Sequence, residues 1–357
     1  MAVLTVKAAR GAMLEELVLK LLQMMGYRII DSPDHAEGTR NGGAGLKLRG
    51  RGEWHQIDAL AAFDRTPAFM YPLRLLVEAK CYQKKSPVGI DVVRNSVGVL
   101  KDIDENFFSY RLSGDAHEES ARGARFNYRT AIFSSSGYTK PALRYAIAHQ
   151  VYLIQYKDVS LMGSVINGLL ALRKIHLRPN ASMQTLRSSL RAALNGDLAA
   201  LRQGFSASGS QHIERRVIAP FEIIRASYFG VLQGKWPMQL FSARPLAPQL
   251  FVESDEVECR LYGKGANRWS FVPDGVERDS ASYFRLEFDL PDEIALLLDP
   301  MRDDPLQVAN FKEQNFAYLD LSGVIGGVQR QVRLKLSREW WQDYVNRIRA
   351  RKETEQD

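Results

Sequence analysis

Two carboxylates and a lysine lie in two apolar stretches of this chain, a set of groups able to hold a divalent cation and direct a water molecule. The stretch Leu73-Arg74-Leu75-Leu76-Val77-Glu78-Ala79-Lys80 follows Pro72 and is rich in branched apolar residues, the pattern of a buried strand. Side chains alternate along a strand, so Glu78 and Lys80 share one face and Ala79 turns to the other. Two unpaired charges buried beside a core are costly, so other groups must compensate them. Residues 53–63 read as a neighbouring strand that carries Asp58 and, two residues earlier on the same face, Gln56. The proposed chemistry is hydrolysis. Asp58 and Glu78 are the acids, Lys80 orients or deprotonates the water and steadies the developing charge, and Gln56 polarises water or phosphate. Oxygen donors suit magnesium, a hard cation that keeps waters, and manganese is expected to substitute. The plainer alternative is a Glu78–Lys80 salt bridge with no chemistry.

The elements that must position these groups can be read in order. Leu14, Leu17, Val18, Leu21, Leu22 and Met25 recur at helical spacing and predict an amphipathic helix over 8–25, ended by Gly26. Residues 27–30 read as a short strand, and the polar, glycine-rich residues 31–45 as a loop. A helix over 88–103 presents Ile90, Val93, Val97 and Leu100 on one face. Residues 102–127 are charged and read as an insertion or long loop. A strand at 128–133, a loop and helix cap at Ser134-Ser135-Ser136-Gly137, a helix at 140–149 and a strand at 151–155 follow. Strands alternating with helices predict an α/β core. The serine run lacks the G-x-S-x-G arrangement of a nucleophile elbow. His35 and His55 are isolated and lack ligand spacing, and neither is assigned a catalytic role.

Asp58 followed on the next strand by Glu78-Ala79-Lys80 resembles the PD-(D/E)xK nuclease signature, in particular the Mrr-like restriction endonuclease branch. Further features resemble the same branch. They are the helix from Leu14-Glu15 to Leu21-Leu22 with Gly26-Tyr27, and the approach from Gly50-Arg51-Gly52 through His55-Gln56-Ile57-Asp58. The run Ala131-Ile132-Phe133-Ser134-Ser135-Ser136-Gly137-Tyr138 with Ala142 and Tyr145-Ala146 is another. The resemblance implies a restriction-endonuclease-like mixed sheet flanked by helices. It implies metal held by Asp58, Glu78 and the Ala79 main-chain oxygen, with Glu15 as a supporting metal or water ligand. It also brings Lys84, Lys85 and Arg94 beside the site as candidate phosphate contacts. Arg49 and Arg51, which bracket Gly50, are further candidates.

Residues 161–207 are helical in pattern, broken by Pro179. Arg173, Lys174, Arg178, Arg187, Arg191 and Arg202 face a single acid there, Asp197. This reads as a basic helical linker able to grip a nucleic-acid backbone, and Ser206 to Ser210 as a flexible join. Beyond it, strands are predicted at 221–232, 249–262, 269–272, 283–290, 317–321 and 328–336. A closing helix starts at the N-cap Ser337 and carries Trp340 and Trp341, which are expected to pack on the sheet. The predicted division is a nuclease domain at 1–165, a linker at 166–212 and a β-rich α+β domain at 213–357, with a specificity, oligomerisation or partner-binding role.

The chain has 357 residues, 48 Lys and Arg against 41 Asp and Glu, and a formal net charge of +7. This balance favours an anionic partner. Cys81 and Cys259 form no C-x-x-C pair, which argues against a cysteine zinc site or a disulfide framework. No apolar run is long enough to span a bilayer and no secretory leader is evident, so a cytoplasmic protein is expected. The expected function is a magnesium-dependent endodeoxyribonuclease acting on double-stranded DNA. Restriction-type defence against phage or plasmid DNA, a homodimer or higher homo-oligomer, and a defence-system partner protein go with it. The alternatives are a non-catalytic nucleic-acid-binding or scaffold protein, and a repair or recombination nuclease or RNase.

Overall fold

The computed structural model describes residues 4–34, 38–42, 45–105, 125–264, 267–301 and 303–354, and divides them into two compact units. The first comprises residues up to Ile154 together with Ser164–Pro220; the second comprises Gln155–Gly163 and the chain from Phe221 onward. His35 and most of the insertion at 102–127 lie outside the described residues.

The first unit is built on a mixed five-stranded sheet. Helix α1 (Val6–Met24) is capped by Thr5 and buries Leu14, Leu17, Val18, Leu21 and Leu22. Strand β1 (Arg28–Ile30) follows. The stretch expected to be a loop then forms a second, small sheet of three antiparallel strands, β2 (Thr39–Gly42), β3 (Gly45–Arg49) and β4 (Trp54–Gln56). Its polar, glycine-rich composition hid a hairpin whose Thr39 and Leu48 are paired and buried. Strand β5 (Ala59–Phe63) returns to the main sheet, joined by β6 (Leu73–Lys80), β7 (Asn127–Ser134) and β8 (Tyr152–Gln155) in the order β1-β5-β6-β7-β8. β6 is the central strand, antiparallel to β5 and parallel to β7, and Arg74 through Val77 are buried along it.

Helices α2 (Ile90–Asp104) and α3 (Lys140–Ala148) share an apolar cluster with Ile132 of β7, built from Val93, Val97, Ala142 and Leu143. Thr139, not the serine run, caps α3. The serines are buried and serve as ties instead. Ser135 Oγ donates to the Tyr82 carbonyl at 2.8 Å and accepts from the Tyr82 amide at 2.8 Å, while Ser136 Oγ donates to Ser86 O at 2.8 Å. The chain just past Lys80 is thereby fastened to the end of β7.

Residues 166–212 are not a separate linker. Helix α4 (Ser160–Leu170), a 3-10 turn (Lys174–His176) and α5 (Met183–Leu194) lead into the first unit, where α5 packs on α1. The expected flexible join is α6 (Ala207–Ile213), whose N-terminus Ser206 caps by accepting from Gly209 N at 3.1 Å. A π-helical turn (Glu214–Ile218) continues it. The basic composition masks the apolar faces of α4, α5 and α6, which bury Leu169, Leu186 with Leu190, and Ile213.

The second unit is a closed seven-stranded barrel, more specific than the β-rich domain expected. Its strands are β9 (Ala226–Leu232), β10 (Trp236–Ser242), β11 (Glu256–Lys264), β12 (Asn267–Pro273), β13 (Leu286–Phe288), β14 (Tyr318–Ile325) and β15 (Val328–Leu336). They close in the order β10-β13-β12-β11-β15-β14-β9. Strict alternation along β14 turns Leu319, Leu321 and Ile325 inward. Three helices were read only in part from sequence: α7 (Asp292–Leu298), α8 (Pro305–Asn315) and the closing α9 (Arg338–Thr354). Trp341 of α9 is buried against the barrel core and Trp340 is partly buried there.

Candidate active site

The site follows from the register of β5 and β6. Ala59 pairs with Val77 and Leu60 with Leu76, so Asp58, the residue before Ala59, lies at the end of β5, close enough for the charges of Lys80 and Glu78 to act on it. Asp58 lies in the link between β4, which belongs to the small sheet, and β5, which belongs to the large one. The expected continuous strand over 53–63 is therefore broken at Ile57-Asp58. That break removes the alternation that would place Gln56 on the face of Asp58; Gln56 is exposed and pairs with Lys47 in the small sheet.

Glu78 and Lys80 share a face as alternation requires, with Lys80 Nζ 2.6 Å from Glu78 Oε1 and both side chains 22% exposed. The other oxygen of Glu78 accepts from Ser96 Oγ of α2 at 2.5 Å. Sequence reading missed Ser96; a serine on the buried stripe of an amphipathic helix was its only signal. Ala79 is buried between the two charged residues. Asp58 is open to solvent and, among the described residues, has neither ion pair nor hydrogen bond. Crowding by protein holds its carboxyl above the ordinary value, opposed by Lys80, reinforced by Glu78 and opposed again by Arg187. An accessible residue with a crowded carboxyl fits a concave surface. Burial lowers the Lys80 pKa, but Glu78 and Asp58 more than reverse this and leave it raised, so the amine is a cation.

Glu15 reaches the same field from α1. It is buried and forms an ion pair with Arg187 of α5. Its carboxyl is raised to about 7: burial drives the rise and Asp58 adds to it, against the pull of Arg187 and Lys80. Arg187 also contacts Glu16, with Nη1 3.3 Å from Oε1. Arg191, one turn on, grips Glu16 through Nε at 2.8 Å and Nη2 at 3.1 Å and pairs with Asp31 at 2.7 Å. Arg187 is the principal group that the sequence reading did not connect with the centre. It lies 172 residues from Glu15, and nothing local distinguishes it from the other arginines around it.

The weaker phosphate candidates scatter. Arg51 pairs with Glu105 at 3.5 Å, Arg94 lies 5.6 Å above the Tyr145 ring, Lys84 and Lys85 are exposed, and Arg49 is half-buried. The glycine-rich approach is held by Asp102 near the end of α2. It accepts from Gly52 N at 3.0 Å and sits 2.6 Å from His55 Nε2, contacts that keep its carboxyl low against the cost of burial. Among the described residues, no three His, Cys, Asp or Glu side chains form a ready metal cage. What the centre offers is two neighbouring acids, all-oxygen donors, and a cation.

Fold and site together define the class: a mixed-sheet α/β unit with a carboxylate–lysine centre, joined in one chain to a closed seven-stranded barrel. No protein-family model matches the chain and no curated protein matches it. It is distantly similar to two solved structures. One is a crystal structure of a protein of unknown function, AF1548, with 15% identity and a TM-score of 0.36 over 59% of this chain and 96% of that one. The other is the MspJI restriction endonuclease in complex with a 27-mer oligonucleotide, with 16% identity and a TM-score of 0.27 over 58% of this chain and 32% of that one. Among the described residues, no helix is long and apolar enough to cross a membrane.

Proposed function

We propose that the first unit is a metal-dependent endonuclease that hydrolyses phosphodiester bonds in double-stranded DNA. The observation that carries this reading is the Lys80–Glu78 pair, 2.6 Å apart, beside Asp58, whose carboxyl feels both charges. Two carboxylates with only oxygen donors fit a hard divalent cation. Asp58, Glu78 and the main-chain oxygen of Ala79 would hold magnesium, with manganese able to substitute. When bound, the cation supplies a polarised phosphate oxygen and a more acidic water. Asp58 is the unpaired acid and the natural point of entry. Lys80, held as a cation by its acidic neighbours, orients water and steadies charge on the phosphate rather than serving as the base. Ser96 fixes the rotamer of Glu78, and Arg187 neutralises Glu15 at the edge of the centre. A cytoplasmic setting, action against foreign DNA and assembly as a homodimer belong to the same proposal.

A second reading, a nucleic-acid-binding or scaffold protein without catalysis, rests on one observation. Glu78 and Glu15 are already neutralised by protein cations, so the centre is satisfied as it stands. Cleavage of plasmid and phage DNA, with and without cytosine methylation, in magnesium or manganese separates the two. Cutting by the wild type, lost by more than about a hundredfold in Asp58→Ala and Lys80→Ala, is expected. Equal activity of wild type and both variants would sink the nuclease.

A further inference from the structure

We propose that the first unit carries a second anion site, remote in sequence from Asp58 and Glu78, that binds a terminal phosphate of a nucleotide-sized ligand. The site is a pocket of about 610 Å³ lined by Arg173, His176, His212, Arg215 and Arg216, with Ser164 and Asn167 as neutral polar groups. The volume falls within the range usual for small-ligand pockets. No acidic side chain lines it, and among the described residues no carboxylate pairs with any of its three arginines. A single-sign lining of this kind is unlike the Glu15–Arg187 region, where each cation meets an acid.

The pocket is built, not incidental. His176 and His212 stack with ring centroids 4.5 Å apart and planes 23° from parallel. His176 Nδ1 accepts from the Arg173 amide at 3.1 Å, so in the neutral ring the proton sits on Nε2, a free donor. His212 Nε2 lies 2.9 Å from the Gly168 carbonyl, which only accepts, so that nitrogen donates. Two close backbone approaches require glycine. A Cβ at Gly168 would collide with the Arg216 carbonyl, and one at Gly209 with the His176 carbonyl. Arg215 and Arg216 sit on the π-helical turn, a rare form found frequently at functional sites. Burial, His212 and Arg173 all hold the His176 imidazole below its usual pKa, as expected beside cations that lack an anion.

Three guanidinium groups suit the double charge of a terminal phosphate better than the single charge of a backbone diester. Such a phosphate has two sources: a free nucleotide, or the 5′-phosphorylated end of a DNA strand.

The test uses the full chain with labelled histidines, following the imidazole resonances by NMR during titration with inorganic phosphate, pyrophosphate and ATP, with affinities from calorimetry. Pyrophosphate and ATP are expected to shift the His176 and His212 signals. The Arg215→Gln/Arg216→Gln variant should weaken binding by about tenfold or more, and Asp58→Ala should leave it unchanged. Because both arginines are exposed and unpaired, the double variant should keep the wild-type melting temperature. Competition by a 5′-phosphorylated oligonucleotide but not its 5′-hydroxyl twin assigns the site to strand ends; competition by neither assigns it to free nucleotides. The proposal is overturned if millimolar pyrophosphate leaves both imidazoles unmoved, if the double variant binds as well as wild type, or if the 5′-hydroxyl duplex competes equally.

Discussion

Two clusters of buried charge, one in each unit, are handled in opposite ways. In the first, Glu15, Glu16 and Glu78 each meet a cation: Arg187, Arg187 with Arg191, and Lys80. In the second, Lys312 of α8 is 4% exposed and, among the described residues, meets aromatic rings alone, its Nζ 5.0 Å from the centroid of Trp269 and 5.6 Å from that of Tyr344. Burial pulls its pKa down to about 8. An ion pair favours the charged form of a buried acid, though burial still holds the Glu15 carboxyl up at about 7. Aromatic faces shelter an amine but leave it easy to neutralise. The first arrangement offsets part of the cost of burial and the second leaves that cost largely in place.

The comparison breaks hardest at Arg187. Arg187→Ala strands Glu15 and weakens the hold on Glu16, and should cost about 3 kcal/mol in urea unfolding of the first unit. Adding Glu15→Gln to it should recover part of that loss. If Arg187→Ala unfolds at the wild-type urea concentration, the pairing does not hold α5 on α1.

Lys312 should respond in the opposite direction. Its unfolded pKa is about 10.4, against about 8 when folded. Between those values the folded state binds fewer protons, so this group adds stability as pH rises from 8 to 10. Lys312→Met is expected to be more stable than wild type at pH 7 by about 1–3 kcal/mol. The gap should narrow as the pH approaches 10. A gap that stays constant across that range would show that burial does not lower the Lys312 pKa.

Ser96→Ala sharpens the comparison at the candidate centre, since it removes the hydrogen bond to Glu78 and keeps the Lys80 pair. A loss of about 1.5 kcal/mol in stability is expected, with DNA cleavage down by about tenfold. The smallest effect belongs to Arg51→Ala, whose exposed pair with Glu105 should contribute less than about 0.5 kcal/mol. Thermal melts of both variants at low and high salt check these values.

What could be read from sequence was what periodicity carries. The runs over 14–25, 73–80, 90–100 and 140–149 appear as α1, β6, α2 and α3, and the shared face of Glu78 and Lys80 followed from alternation alone. The break before β5 was invisible because the apolar pattern runs on through Ile57 and Ala59, both buried, although the chain changes sheets between them. Arg187 was invisible for another reason: a helix face opposite a distant helix leaves no local signal. Barrel closure depends on the parallel pairing of β11 with β15, Glu256 to Arg333 through Cys259 to Leu336, which no short-range pattern encodes.

That closing pair also sets an order of events during synthesis. All residues of the first unit have been made once Pro220 leaves the ribosome, whereas the barrel waits for β15, more than a hundred residues later. Domains fold largely as they emerge. The segment Gln155–Gly163 interrupts the first unit but belongs to the second, where Tyr156 donates to Gln239 Oε1 at 2.8 Å and packs on Phe241. For that interval Tyr156 has no barrel to enter and stays uncovered on a nascent chain whose candidate nuclease centre is already assembled. A stall in translation late in the barrel would therefore leave a folded first unit with a sticky aromatic loop, a natural foothold for a chaperone.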